Sequence, residues 1–164
     1  MKRRKKQTAN AKIKNAKALS YYGIQFKSRL ELYMYKKLKA ANIKFGYENH
    51  TFQLLDKFTY GGDSMELLRK KGEKCFDWQN PNIRGMTYTP DFCNLKNNWI
   101  IECKGFANDV FPLKWKLFKK YMNENHPGFT LYMPRNQKHI DIVVEHIKQN
   151  DKRRTTIKRP KRSV

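Results

Sequence analysis

Leu30, Met34, Leu38 and Ala41 recur at helical spacing behind Ser28, so the pattern predicts a helix capped by that serine. Before it, Tyr21 to Phe26 read as a short extended entry, and after it the alternation in "IKFGYENHTFQLLDKF" predicts one or two strands with a turn. A strand is expected near residues 84–93, a turn at Asn97-Asn98, and a second strand from Trp99 to Lys104. Trp99, Ile100 and Ile101 are continuously apolar, as in a strand covered on both faces. The segment "NDVFPLKWKLFKKYMNEN" predicts a helix, with Asn108 or Asp109 as cap and Pro112 in its first turn. Leu113, Leu117, Phe118, Tyr121 and Met122 are its expected apolar face, and "HPG" ends it. "FTLYM" then reads as a buried strand, and "QKHIDIVVEHIKQN" as a last helix packed through Ile140, Val143, Val144 and Ile147. Residues 56–82 are broken by Gly61-Gly62, Gly72 and Asn80-Pro81, which leaves "SMELLRKK" as a short helix inside an insertion. The resulting order of helix, three-stranded meander, helix, strand and helix describes an α/β structure with helices covering a mixed sheet.

Composition adds a partner to this picture. The 164 residues suit one domain with a modest core, and the 39% hydrophobic content supports folding despite 30% charged residues. The formal charge of +22 is spread unevenly: residues 1–17 hold eight Lys/Arg and no acid, and residues 148–164 hold eight with only Asp151. The two ends thus account for +15, leaving +7 on the body. We divide the chain into a basic arm (1–20), a domain (21–150) with the insertion near 56–82, and a basic tail (151–164). Arms of this kind suit a polyanion, most simply DNA, and the plainer alternative is that they only solubilise the chain.

Other classes drop out. No stretch reaches the roughly 20 apolar residues of a membrane span, so no membrane partner is expected. The cluster Lys2-Arg3-Arg4-Lys5-Lys6 lacks a following apolar region, so we expect no secretory signal and a cytoplasmic protein, with a nuclear localisation signal left open. Three cysteines (Cys75, Cys93, Cys103) without C-x-x-C spacing argue against disulfides or a zinc knuckle. The histidines His50, His126, His139 and His146 are scattered and read as packing or surface residues.

The chemistry concentrates in "TYTPDFCNLKNNWIIECKG". On a strand, Glu102 and Lys104 share a face while Cys103 points away. Pro90 breaks the preceding ladder and aims Asp91 at the sheet end, and a turn near 97–98 would return Glu102 toward it. Two carboxylates beside a lysine suit phosphodiester hydrolysis, with the acids on Mg²⁺ and the lysine on the attacking water or the developing charge. The competing reading is an ordinary Glu–Lys pair and an exposed aspartate. Gly105 would allow close approach of a phosphate or backbone. Glu31 faces inward with Met34 and Leu38, yet "SRLE" also fits a capping box in which Glu31 serves only the helix start.

"P-D" followed ten residues later by "E-x-K" resembles the signature of the PD-(D/E)xK nuclease superfamily. "FKSRLE", "IKFGYE", "TYTPDF", "WIIECKG" and "LKWKLFKKYMNENHP" together resemble the bacteriophage endonuclease I family of Holliday-junction resolvases, over roughly Gly23 to Pro134. "GIQFKSRLE", "FTYGG" and "IRGMTYTPDF" equally resemble other small phage nuclease-like proteins. The resemblance implies a restriction-endonuclease-like core, a central mixed sheet flanked by helices. It implies Asp91, Glu102, the Cys103 carbonyl and Glu31 around Mg²⁺ (Mn²⁺ substituting), with Lys104 as the catalytic lysine. It also implies a homodimer, because symmetric cuts need two sites, and the host-cell cytoplasm as its place. Lys114, Lys116, Lys119 and Lys120, with Arg3 and Arg4 of the arm, would hold the DNA backbone. The function expected is a Mg²⁺-dependent endodeoxyribonuclease acting on branched DNA. A nicking or degradative nuclease without junction preference and a non-catalytic basic nucleic-acid-binding protein are the alternatives.

Overall fold

The computed structural model describes residues 19–70, 72–105 and 110–157. In chain order the first elements are β1 (Leu19–Tyr21), β2 (Ile24–Phe26), α1 (Arg29–Ala40), β3 (Gly46–Tyr47), β4 (Phe52–Leu55) and β5 (Phe58–Thr59). There follow β6 (Met65–Lys70), β7 (Glu73–Trp78), β8 (Asn82–Ile83), β9 (Met86–Tyr88), β10 (Phe92–Asn94) and β11 (Trp99–Ile101). The chain then forms α2 (Phe111–Asn125), β12 (Thr130–Tyr132) and α3 (Gln137–Ile157). This is a mixed α/β protein that divides into two compact units. Of the described residues, the first unit takes 19–45, 101–105 and 132–157, and the second takes 46–100 and 110–131.

In the first unit, β1 and β2 form an antiparallel hairpin across Tyr22 and Gly23. Both turn residues have positive φ, +48° and +77°, the backbone that a two-residue hairpin turn needs to match strand twist. Ser28 caps α1 as expected, and the buried helix face is Glu31, Met34, Tyr35 and Leu38. The stripe is therefore turned from the one expected, since Leu30 and Ala41 are only half-buried. Tyr35 explains the turn: its ring meets Phe26 at 5.1 Å and Phe45 at 5.3 Å, an aromatic cluster that anchors the helix more firmly than one leucine. α3 buries Ile140, Val143, Val144 and Ile147, all as expected, and packs on α1. The Asn136 side chain accepts the His139 N–H at 2.9 Å and so starts α3. This helix runs on to Ile157, so residues 151–157 extend it rather than opening a tail. Residues 158–164 and most of the basic arm, with Arg3 and Arg4, lie outside the described residues.

The second unit is built on β4 and β9, paired so that Phe52 faces Tyr88, with a register shift between Gln53 and Leu55. α2 covers them with Phe111, Trp115, Phe118 and Met122. Phe118 is fully buried, its ring 4.3 Å from Tyr88 and 5.3 Å from Phe52. The expected α2 face was thus wrong in Leu113 and Leu117, which are exposed. Phe111, Trp115 and Phe118, with Met122, make an equally good helical stripe, and the larger rings take the interior. Pro112 sits in the first turn as expected, and the N-cap is Val110, with no side-chain cap bond. Asn108 and Asp109 lie outside the described residues.

Among the described residues the insertion holds no helix. "SMELLRKK" contributes β6, which pairs antiparallel with β7 around Gly72 at φ +88°. Pairing of Met65 with Trp78 and Leu67 with Phe76 rewards the period-2 alternation on both sides of the glycine. A lone eight-residue helix would have had no such partner.

A four-stranded sheet has the order β12-β11-β10-β3. β10 and β3 are antiparallel, Phe92 opposite Tyr47. Thr130 N–H donates to the Asn98 carbonyl, Glu102 N–H to Tyr132 and Lys104 N–H to Pro134. These bonds step forward together on both segments, which is parallel pairing, so the sheet is mixed.

The α1–α3 contact carries one pH-sensitive pair. Lys37 Nζ lies 2.9 Å from Asp141 Oδ1, and the Tyr33 hydroxyl donates to the same carboxylate at 3.2 Å. The Lys37 bond, helped by Tyr33 and opposed by burial, holds the Asp141 carboxyl below the usual carboxylate range. A depressed carboxyl stabilises the fold above its unfolded pKa and loses that contribution as pH falls through the folded one. Asp141→Asn is therefore expected to lower the thermal midpoint slightly at neutral pH, the deficit fading below about pH 4. Equal deficits at pH 7 and at acid pH would show that packing rather than charge was lost.

Candidate functional site

Pro90 is fully buried and stands between β9, which pairs with β4, and β10, which pairs with β3 and β11. The chain changes sheets there, where a residue without an N–H leaves no ladder donor unsatisfied. Asp91 follows at once. Its side chain is buried in the second unit, and its carbonyl accepts the Glu48 N–H at 2.9 Å. β10 then leads through residues 95–98 to β11. Asn94 Oδ1 accepts the Asn97 N–H at 2.9 Å, and Asn98 takes φ +53°, so the expected Asn97-Asn98 turn forms.

Glu102 follows β11 directly and is buried in the first unit. Lys104 Nζ lies 3.7 Å from Glu102 Oε1, which bears out their common face. Cys103 is buried between them in sequence. The parallel backbone bonds to Tyr132 and Pro134 continue past the end of β11 and hold both charged residues in strand-like alternation. Desolvation of a buried carboxylate offsets much of its attraction to an ammonium, so the pair is weak evidence for stability. At Gly105, an added Cβ would meet nothing nearer than the Arg135 carbonyl oxygen at 3.9 Å, so packing within the chain does not demand glycine.

Glu31 is buried on α1 and serves the cap. Its Oε1 accepts the Ser28 hydroxyl at 2.7 Å, its Oε2 accepts the Lys27 N–H at 3.0 Å, and its own N–H donates to Ser28 Oγ at 3.2 Å. The capping box is therefore formed, with the carboxylate reaching one residue further back than Ser28. Among the described residues no group of three or more His, Cys, Asp or Glu side chains is arranged to hold a metal ion. Of the residues singled out in the sequence, the structure pairs Glu102 with Lys104 and gives Glu31 a place in the helix cap.

The remaining candidates separate cleanly. Lys116, Lys119 and Lys120 are exposed at i, i+3 and i+4 of α2 and share a face, whereas Lys114 is half-buried on the far side of the apolar stripe. Lys119 Nζ also lies 5.7 Å from the Trp115 ring centre, and Lys120 pairs with Glu124 at 3.8 Å. The histidines divide between surface and packing positions: His139 and His146 are exposed, His146 Nδ1 lying 2.7 Å from the Tyr132 hydroxyl, and His126 lies among Phe52, Tyr121 and Phe129. None of Cys75, Cys93 and Cys103 is in a disulfide. Burial pushes the Cys93 thiol up, so it stays protonated, and it donates to Asn49 Oδ1 at 3.3 Å. Sequence reasoning missed the exposed side chains of β6 and β7, whose signal was the alternation on either side of Gly72.

A family model described as "Protein of unknown function (DUF1064)" matches residues 11–138. The chain belongs to this family. The DUF1064 match spans Glu31, Asp91, Glu102, Lys104, the insertion and the whole of α2, and it ends two residues into α3. No curated protein and no solved structure matches this DUF1064 chain.

Removing the cap has a defined cost. Ser28→Ala is expected to lower unfolding free energy by about 1 kcal/mol, read from urea titration. A loss of no more than a few tenths would show that the Ser28–Glu31 bonds contribute nothing to the helix start.

Proposed function

We propose that this protein is a metal-dependent endodeoxyribonuclease with a PD-(D/E)xK core, hydrolysing phosphodiester bonds in branched DNA. The observation that carries the reading is the Glu102–Lys104 pair at 3.7 Å just past the end of β11, its carboxylate buried and its ammonium half-buried. In this reading Asp91 and Glu102 are the two acids of the sequence motif and Lys104 is its lysine. Two carboxylates and one ammonium sum to a single negative charge, which would repel DNA. With a divalent cation bound the sum reverses sign and favours phosphate.

The donors fit such an ion. Carboxylate oxygens are hard ligands, and Mg²⁺ commonly needs only one or two of them, keeping its waters. Asp91 and Glu102 would hold it, with the Cys103 carbonyl as a further oxygen, and Glu31 is left to its cap. The ion, when bound, would activate water and offset charge on the phosphate oxygens. Lys104 supplies three donors and no acceptor from a backbone held by its N–H bond to Pro134, and in this reading it orients the attacking water or stabilises the developing oxyanion. Lys116, Lys119 and Lys120 grip the backbone without reading sequence.

A second reading has its own observation. Glu102 is paired with Lys104 and both Glu31 oxygens are bonded within the chain, which also suits a basic nucleic-acid-binding protein whose acids are structural. Incubation with Mg²⁺ and four-way-junction, flap, nicked, linear duplex and single-stranded DNAs separates the two. We expect junction cutting that Lys104→Ala and Asp91→Asn each reduce by about 100-fold or more, with circular dichroism unchanged. Folded protein that cuts none of these substrates would overturn the nuclease reading. Linear duplex cut as fast as junctions would leave the chemistry and remove the branched-DNA substrate.

A further inference from the structure

The β6–β7 hairpin is two-sided in a way that nothing in the proposed active site uses. Its register places Met65, Leu67, Arg69, Lys74, Phe76 and Trp78 on one face, because Met65 pairs with Trp78, Leu67 with Phe76 and Arg69 with Lys74. The four apolar side chains of that face are between 44% and 66% exposed, and Phe76 and Trp78 are the largest of them. The hairpin's acids, Glu66, Glu73 and Asp77, fall on the other face. There Glu66 accepts from Ser64 Oγ at 2.7 Å and Gln79 Nε2 at 3.3 Å, while Asp77 accepts the Trp78 N–H at 2.8 Å. Leu68 and Cys75, between those acids, are half-buried, so it is the aromatic face that looks outward.

We propose that this face is a platform on which unpaired bases of DNA stack, with Arg69 and Lys74 holding the adjoining phosphates. Three features select that occupant. Arg69 and Lys74 are directly opposite across the ladder, an arrangement that like charges disfavour and that one bound phosphate would relieve. The face carries rings and cations but no Asn, Gln, Ser or Thr with which to read base edges, which suits sequence-tolerant stacking. Bases inside a duplex already have both faces stacked, so only a single-stranded or opened segment offers a ring to Phe76 and Trp78. A second copy docked face to face would bury four cations against apolar side chains with no acid on either face, at a desolvation cost that this platform avoids. The inference rests on the DNA partner proposed above and not on cleavage.

Trp78 makes the test direct, because it is exposed whereas Trp99 and Trp115 are buried. The full chain, in EDTA so that no metal-dependent cutting occurs, is titrated with an oligothymidylate of about 16 nucleotides and with a blunt duplex of equal length. The single strand is expected to quench tryptophan emission, and Trp78→Phe to abolish the quench. Phe76→Ala combined with Trp78→Ala should weaken single-strand binding by about tenfold or more, while duplex affinity changes by less than about twofold. Unchanged emission on saturation with single strand would overturn the platform, as would equal losses on both DNAs. It would equally fall if the wild type were a dimer by light scattering that the double variant converts to monomer. Metal-dependent cutting, scored separately, distinguishes the two proposals: cutting without the quench removes the platform alone, and the quench without cutting removes the nuclease alone.

Discussion

A buried charge past the end of a strand needs its backbone fixed before its chemistry matters. Here the Glu102 and Lys104 N–H groups donate to the Tyr132 and Pro134 carbonyls, each at 3.0 Å. Those two bonds keep residues 102–104 in extended alternation after β11 formally stops. Alternation puts the carboxylate and the ammonium on one side and sends Cys103 to the other, into the interior. Without the bonds, two unsatisfied amides and an unpaired carboxylate would share a dry environment, each costing more than the ion pair returns. The parallel pairing with the segment after α2 is therefore the constraint on which the candidate site depends.

Much of this arrangement was legible in the sequence, and the reasons it was or was not are specific. α3 was read correctly because Ile140, Val143, Val144 and Ile147 are its strongest apolar set at helical spacing. The turn at Asn97-Asn98 was legible because two asparagines advertise both a side-chain-to-backbone bond and a positive φ. α2 was placed correctly but faced wrongly, since leucines and aromatics offered two overlapping stripes and only tertiary contact with Phe52 and Tyr88 chose between them. "SMELLRKK" misled because Met, Glu, Leu, Arg and Lys all favour helix intrinsically, and the opposing strand that overrides this preference lies beyond a glycine. The end of α3 was set seven residues early because a run of basic residues looks like a solvated tail even when helix propensity continues through it.

At the site, sequence spacing identified the charged residues but not the company they keep. Glu31 was seen both as a cap and as a member of an acidic site, and the bonds to Ser28 and Lys27 give it the first role. The four α2 lysines looked equivalent in a list, yet helical geometry sets Lys114 apart from the other three. Charge on a helix is a directional quantity, and counting it along the chain loses the direction.

The closeness of Lys104 to α3 gives that helix a mechanical meaning. Pro134 accepts the Lys104 N–H, and Asn136 already caps α3, so only Arg135 separates the sheet bond from the helix start. From that point 21 helical residues extend for about 30 Å and finish in a basic segment containing Lys152 and Arg153. The helix is held against α1 through Ile140, Val143, Val144 and Ile147, and its basic end lies beyond the last of these buried residues. Any load on that basic end is therefore taken up by the α1–α3 contact before it reaches the strand bearing Lys104.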